Sequence, residues 1–395
     1  MVFKFMNQKY IIIISNGHGE DIIGAALGRE LAALGYEVQA LPLVGEGNCY
    51  ERAGFCVLGP RKEMPSGGFV LDKPVAFLED LKAGWLSMSL GHYGALWKAS
   101  RAATATLVVG DIYGLLVGSA FGKRPLFQMQ PLVSVRAWGD HECRRPYGLP
   151  ERLLMGRAVQ VYPREAEAAQ WLNRHGVGNA QYLGNPMLDA LEGDAPLDLP
   201  PPYLLLLPGS RADAFESLPK MLEACRHLRS TALTPVVAWA GLPLERLVVG
   251  GWRCEANRFL HPDGTSVLLA QNAFKTALLG SRAAISTSGT AAEQAAGYGI
   301  PVVGFPTSGP QYTQGFARGQ KRLLRDALRL AEPSPEAIAE AVLKFLNDAE
   351  LLRKAQEAGK AAMGEPGAAK RIAEDIHRRL SRSEESDPIA ESPQS

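Results

Sequence analysis

The chain is read as an α/β protein built from two domains, each a parallel sheet wrapped by helices, and three observations predict it. At 395 residues it exceeds what one hydrophobic core comfortably organises. Short apolar runs alternate with amphipathic helical patterns, the signature of successive βαβ units. That alternation stops at a proline-rich stretch and then starts again. Composition fits a globular protein: 46% hydrophobic, 21% charged and a formal net charge of +1, which gives no electrostatic reason to expect a nucleic-acid partner.

Taken in order, Tyr10–Ile14 reads as the first buried strand, followed by a helix over Asp21–Leu34 with apolar residues at Ile22, Ile23, Ala26, Leu27 and Leu31. Gly35 stops that helix, and Glu37–Leu43 is the next strand. Ala105–Val109 and Val159–Tyr162 read as further strands. Residues 193–202 hold four prolines, which neither a helix nor a central strand accommodates. The pattern restarts with strands at Tyr203–Leu207, Pro235–Ala240, Ser266–Ala270, Ala283–Thr287 and Pro301–Phe305, and helices at Phe215–Leu228 and Thr290–Tyr298. The expected domains are therefore 1–192 and 203–333, joined by a linker at 193–202. Charged helices follow over 334–380, packing back toward the first domain, and then a disordered tail over 381–395.

The five cysteines are scattered and contain no Cys-x-x-Cys pair, which fits a reducing cytoplasm rather than a disulfide or zinc framework. Glu20, Asp140, His141 and Cys143 match no ligand spacing, so no metal site is expected. No apolar run is long enough to span a bilayer and none reads as a signal peptide.

Ligands of open parallel sheets bind beyond the carboxyl ends of strands, so three strand ends matter. The first, Ser15–Asp21, carries Gly17 and Gly19, which admit a close approach, around His18, whose ordinary pKa suits a general base. It lacks the third glycine of a dinucleotide loop. The second, Leu207-Pro208-Gly209-Ser210-Arg211, ends in a guanidinium fork suited to a diphosphate. In the third, Ser286–Thr290, Ser288, Gly289 and Thr290 open directly into a helix, whose amides and dipole favour an anion.

Several motifs in order carry a family resemblance: Gly-Asn-Pro-Met-Leu-Asp-Ala at 184–190, Leu-Pro-Gly-Ser-Arg at 207–211, Ser-Gly-Thr-Ala-Ala-Glu-Gln-Ala at 288–295 and Val-Ser-Val-Arg-Ala-Trp at 133–138. Together they resemble lipid-A-disaccharide synthase across most of 10–330. The chain looks like a related sister group within the GT-B glycosyltransferases, whose two Rossmann-like domains face each other across a cleft. Its first loop departs from the family's Gly-Glu-x-Ser-Gly-Asp; the Gly-His pair is more similar to relatives that glycosylate lipid-linked peptidoglycan precursors or diacylglycerol.

What the resemblance implies is metal-independent transfer, with inversion, from a UDP-sugar on the C-terminal domain to a hydroxyl of a lipid-linked acceptor on the N-terminal one. The UDP-sugar is a co-substrate, and no further cofactor is expected. Asp111 matches the Gly-x-Asp loop of the family's essential aspartate, and it shares the general-base role with His18 as an open pair. Ser210 and Arg211, with 288–290, would hold the diphosphate. The ribose falls to Glu293 or Gln294, because glutamine stands in the slot that is usually glutamate. Gln311 and Gln314 sit where relatives contact the donor sugar. A broad apolar helical face over 74–98 (Val75, Phe77, Leu78, Leu81, Trp85, Leu86, Met88, Leu90, then Tyr93 and Trp97), near Lys73, Lys82 and Lys98, suits the inner surface of a membrane, with Arg144, Arg145, Arg152 and Arg157 adding anionic-lipid attraction. Two alternatives share the fold: a UDP-sugar 2-epimerase, which calls for more cleft carboxylates and histidines than the sequence places, and a catalytically silent nucleotide-sugar binder.

Overall fold

A computed structural model describes residues 9–61, 85–138, 146–247 and 249–386. They divide into two compact units, one drawn from Met1–Val135, Glu142–Ala190 and Pro366–Ser395, the other from Arg136–His141 and Leu191–Glu365.

The first unit is a six-stranded, all-parallel sheet of β1 (Tyr10–Ser15), β2 (Glu37–Pro42), β3 (Cys56–Val57), β4 (Ala105–Val109), β5 (Leu126–Gln130) and β6 (Gln160–Pro163), in the order β3-β2-β1-β4-β5-β6. Ile11 to Ile14 are all fully buried. Four consecutive apolar residues are what a central parallel strand covered on both faces requires, and each buried isoleucine contributes about 1.5–3 kcal/mol. Strand order reverses between β1 and β4, whose ends are paired at Ser15 and Val109. That reversal opens a crevice at the carboxyl edge.

Its helices are α1 (His18–Ala33), α2 (Asn48–Arg52), α3 (Trp85–Ser100), α4 (Ile112–Phe121), α6 (Leu149–Met155) and α7 (Ala166–Arg174); the short α5 (Val135–Trp138) begins at its Val135, and Arg136–Trp138 count with the second unit. The Ser-Val-Arg segment is held where α5 begins: Glu165 accepts from Ser134 Oγ (2.8 Å) and the Val135 amide (2.6 Å).

The second unit has eight strands: β7 (Tyr203–Leu207), β8 (Thr234–Trp239), β9 (Arg253–Glu255), β10 (Arg258–Leu260), β11 (Ser266–Gln271), β12 (Ser281–Ser286), β13 (Val302–Gly304) and β14 (Leu328–Leu330). Their order is β14-β13-β12-β7-β8-β11-β10-β9, parallel except for β9 and β10. Here the order reverses between β7 and β12. The helices are α8 (Ala214–His227), α9 (Phe274–Leu279), α10 (Thr290–Gly297), α11 (Gln314–Leu324), α12 (Pro335–Asn347) and α13 (Ala349–Met363).

Three expected boundaries change. The proline-rich stretch is no free spacer: Gly193 O accepts from Lys275 N (2.8 Å), Ala195 N donates to Asn272 O (3.0 Å), and Asp198 accepts from Asn257 Nδ2 (3.2 Å), so it lies on the second unit. The C-terminal helices separate. α12 and α13 join the second unit, and only the last, α14 (Ala368–Ser386), belongs to the first. There it packs on α1 and is anchored by the Asn-Pro-Met-Leu-Asp motif: Asp189 accepts from the Gly367 amide and, at 2.7 Å, from that of Ala369. Finally, helix runs six residues into the expected tail, to Ser386. Ile372, Ala373, Ile376 and Leu380 bury one face, and the strong helix formers Arg382, Glu384 and Glu385 carry the backbone on. Residues 387–395 lie outside the description.

Candidate active site

At the crevice of the first sheet, β1 delivers Ser15 and Asn16, and β4 delivers Gly110 and Asp111. Gly110 adopts φ +141°, which favours glycine. Its carbonyl accepts from Gln128 Nε2 at 3.2 Å, and its amide donates to Met129 O at 3.0 Å. The turn is thus clamped from β5. Asp111 caps α4: its Oδ1 accepts from the amides of Tyr113 (3.0 Å) and Gly114 (3.4 Å) and from Asn16 Nδ2 (3.0 Å). The last bond bridges the two strands on either side of the reversal. All three donors use Oδ1, so the helix cap does not occupy Oδ2.

Beneath this lies a second layer. Tyr50 OH donates to Ser15 Oγ (2.9 Å), which donates to Asp21 Oδ1 (2.6 Å). Burial lifts the Asp21 carboxyl to about 7, and its place in this chain makes it an anchor for the start of α1. Glu20, also buried, is lifted to about 7 by desolvation, opposed by its own backbone and reinforced by the charge of Asp111. Glu151 on α6 is likewise lifted to about 7, by burial first and by Asp111 as well, while Gln130 Nε2 holds it at 3.0 Å.

His18 opens α1 as an exposed residue. The two loop glycines differ. A Cβ at Gly17 would stand 2.7 Å from Glu20 Oε2, whereas one at Gly19 would meet nothing within 4 Å. Gly17 is thus packed against the Glu20 side chain, whereas Gly19 faces open space.

In the second sheet the two anion-suited turns lie side by side at the reversal. Thr287 N donates to Leu207 O (3.0 Å) and Thr287 Oγ1 to Pro208 O (3.1 Å), bolting the β7 and β12 turns together. Gly209 takes φ +97° with Thr287 O as its neighbour. α10 starts at Thr290 with no side-chain cap, so no cap side chain satisfies its first amides. Gln320 Nε2 donates to the carbonyls of Ser288 (3.3 Å) and Gly289 (2.9 Å), while its Oε1 accepts from Tyr312 OH (2.7 Å).

Exposed Arg211 donates to Gln311 Oε1, joining two of the predicted residues. The loop bearing Gln311 is fastened by α8 and the turn before it. Asp213 Oδ2 accepts from Thr307 Oγ1 (2.7 Å) and from the amides of Gln311 (3.1 Å) and Tyr312 (3.0 Å); Glu216 accepts from the Ser308 amide and hydroxyl. Gln314 starts α11, exposed, behind its Thr313 cap. Of the two ribose candidates on α10, Gln294 is buried. Glu293 is half-buried, and its charge reaches Tyr312 on the loop.

Asn16, Glu20, Gln130, Glu151, Asp213 and Gln320 were not among the predicted site residues. Glu20 was visible beside His18 but was weighed only as a metal ligand. The others carried no local signal. Val75, Phe77, Leu78, Leu81, Lys73, Lys82, Asp140, His141, Cys143, Arg144 and Arg145 lie outside the described residues.

No protein-family model matches the chain, and no curated protein matches it. Solved structures do. CalG4, the calicheamicin glycosyltransferase, is similar at TM-score 0.63 and 16% identity over 95% of this chain and 99% of its own. UDP-GlcNAc 2-epimerase from Neisseria meningitidis, bound to UDP-GlcNAc, aligns at 0.56 and 12% over 94% and 100%. MurG from Acinetobacter baumannii aligns at 0.54 and 15% over 94% and 99%. The chain therefore has the GT-B fold, with two Rossmann-like parallel-sheet units. Its structural neighbours include both glycosyltransferases and UDP-GlcNAc 2-epimerases.

Proposed function

We propose that the protein is a glycosyltransferase similar to lipid-A-disaccharide synthase, moving a sugar from a UDP-sugar to a hydroxyl of a lipid-linked acceptor with inversion. The observation that supports this is the pair of turns bolted together at the reversal of the second sheet, which brings Gly209, Arg211, Ser288–Thr290 and the uncapped start of α10 into one surface suited to an anion. A solved structure of the same fold holds UDP-GlcNAc and another holds UDP. In this reading Asp111 Oδ2 takes the acceptor's hydroxyl proton and the oxygen bonds to the anomeric carbon. The bond from that carbon to the diphosphate breaks, its electron pair leaving with UDP. Arg211 and the backbone amides receive the developing charge in place of a metal.

The lipid acceptor is supported by an apolar surface on the first unit. α3 packs on α4, and α4 on α6. These helices expose Leu90 (62%), Trp97 (57%), Leu116, Leu149 and Leu153 (62%), with Arg101 stacked over Trp97. A surface of this kind fits peripheral contact with a bilayer. Among the described residues no helix is long and apolar enough to cross a membrane.

One observation favours the epimerase reading. Glu20 and Glu151 stand within reach of the Asp111 charge, giving the first sheet's crevice more carboxylates than the sequence placed. Incubation with UDP-N-acetylglucosamine in deuterated water separates the two. Transfer predicts UDP release only when membrane lipid is added, lost in Asp111→Asn. Deuterium at sugar C2 without any lipid would establish epimerisation instead, and UDP binding with neither product would mark a silent relative.

A further inference from the structure

Asn16 is only 7% exposed, and its Nδ2 donates to Asp111 Oδ1 at 3.0 Å. A carboxylate oxygen accepts, so this bond fixes which end of the amide faces Asp111. The other end, Asn16 Oδ1, is buried with no hydrogen-bond partner among the described residues. A buried acceptor left without a donor is destabilising, and native structures keep few of them. A ligand that brings a donor accounts for this one.

The groups around it are acids. Glu20 lies against Gly17, with its Cγ 3.7 Å from where a Cβ on Gly110 would stand, and Glu151 is held by Gln130. The charge of Asp111 reaches both carboxyls. None of the four residues is paired with a lysine or arginine among the described residues. Such a crevice attracts hydrogen-bond donors, and above about pH 7, where its buried carboxyls ionise, it repels anions.

We infer that the crevice of the first sheet takes a neutral, polyhydroxylated group. One hydroxyl donates to Asn16 Oδ1 beside the hydroxyl that Asp111 deprotonates, and Glu20 and Glu151 keep phosphate away from the reacting end of the acceptor. This rests on the transferase reading and names its acceptor class.

Saturation-transfer difference NMR on the full chain at about pH 8.5, where the buried carboxyls are ionised, tests it, with methyl β-D-glucopyranoside as the neutral probe and glucose 1-phosphate as the anionic one. The neutral glycoside is expected to show transfer that falls at least about fivefold in Asn16→Leu, the scale of one lost hydrogen bond. Glucose 1-phosphate is expected to show none until Glu20→Gln and Glu151→Gln are combined. Equal transfer to both probes in the unaltered protein, or undiminished transfer in Asn16→Leu, would overturn the assignment. If Asn16→Leu does not fold, the double glutamine variant decides: continued exclusion of the phosphate counts against the proposal. UDP binding on the same samples reports on the other sheet. Its absence alongside the expected sugar result would fail the transferase reading while leaving the crevice's preference standing.

Discussion

Glu20 shows how a site residue carries a cost that can be measured. Its folded-state pKa is raised from 4.5 to about 7, chiefly by burial. Between those values the native state binds more protons than the unfolded one. Stability therefore falls as pH rises from about 4.5 to 7 and stays lower above that. Glu20→Gln removes this dependence. We expect it to raise the melting temperature at about pH 8 by a few degrees relative to the unaltered protein, and to narrow the gap between about pH 5.5 and pH 8, reflecting an effect of order 1–3 kcal/mol. An unchanged profile in a calorimetric pH series would show that Glu20 is not held in a desolvating site. At this scale the sequence singled out residues in diagnostic loops, Asp111 after its glycine and Arg211 after Pro-Gly-Ser, and the structure puts both beyond strand ends, after β4 and β7. It was silent for Asn16, Gln130, Asp213 and Gln320. Each acquires its role through a partner far along the chain, and no local pattern encodes that.

Among elements, β1, β4, β7 and β12 were legible because unbroken apolar runs have one reading in a parallel sheet. β5 was not, because Leu-Phe-Gln-Met-Gln places two glutamines in a buried strand. The structure explains them: Gln128 and Gln130 spend their amides on Gly110 and Glu151. The first six residues of the expected tail were misjudged for a related reason. Low apolar content argued for disorder, yet helix propensity extends α14 beyond the buried Leu380. The apolar helices of the first unit carry a prediction of their own. Leu153→Glu, with Leu153 already largely exposed, should leave folding intact and reduce flotation with anionic vesicles severalfold. Equal flotation would detach α6 from the membrane reading.

Across the whole molecule, two units present the same device, a reversal of strand order with the candidate loops at the carboxyl edge. The first joins Asn16 to Asp111, and the second joins the Pro208–Arg211 turn to the Thr287–Thr290 turn. Restart of the strand–helix alternation after the prolines made this duplication visible in the sequence. Which carboxylates meet at the first crevice was visible only in three dimensions. The central claim is that the second unit binds a uridine nucleotide through Arg211 and its neighbouring turn. It is tested most directly by isothermal titration of the purified chain with UDP, GDP, ADP and NAD, beside Arg211→Ala. The account predicts binding of UDP in preference to the others, weakened at least about tenfold in the arginine variant, as loss of a charge-assisted contact requires. No affinity for UDP, or a preference for NAD, would contradict it.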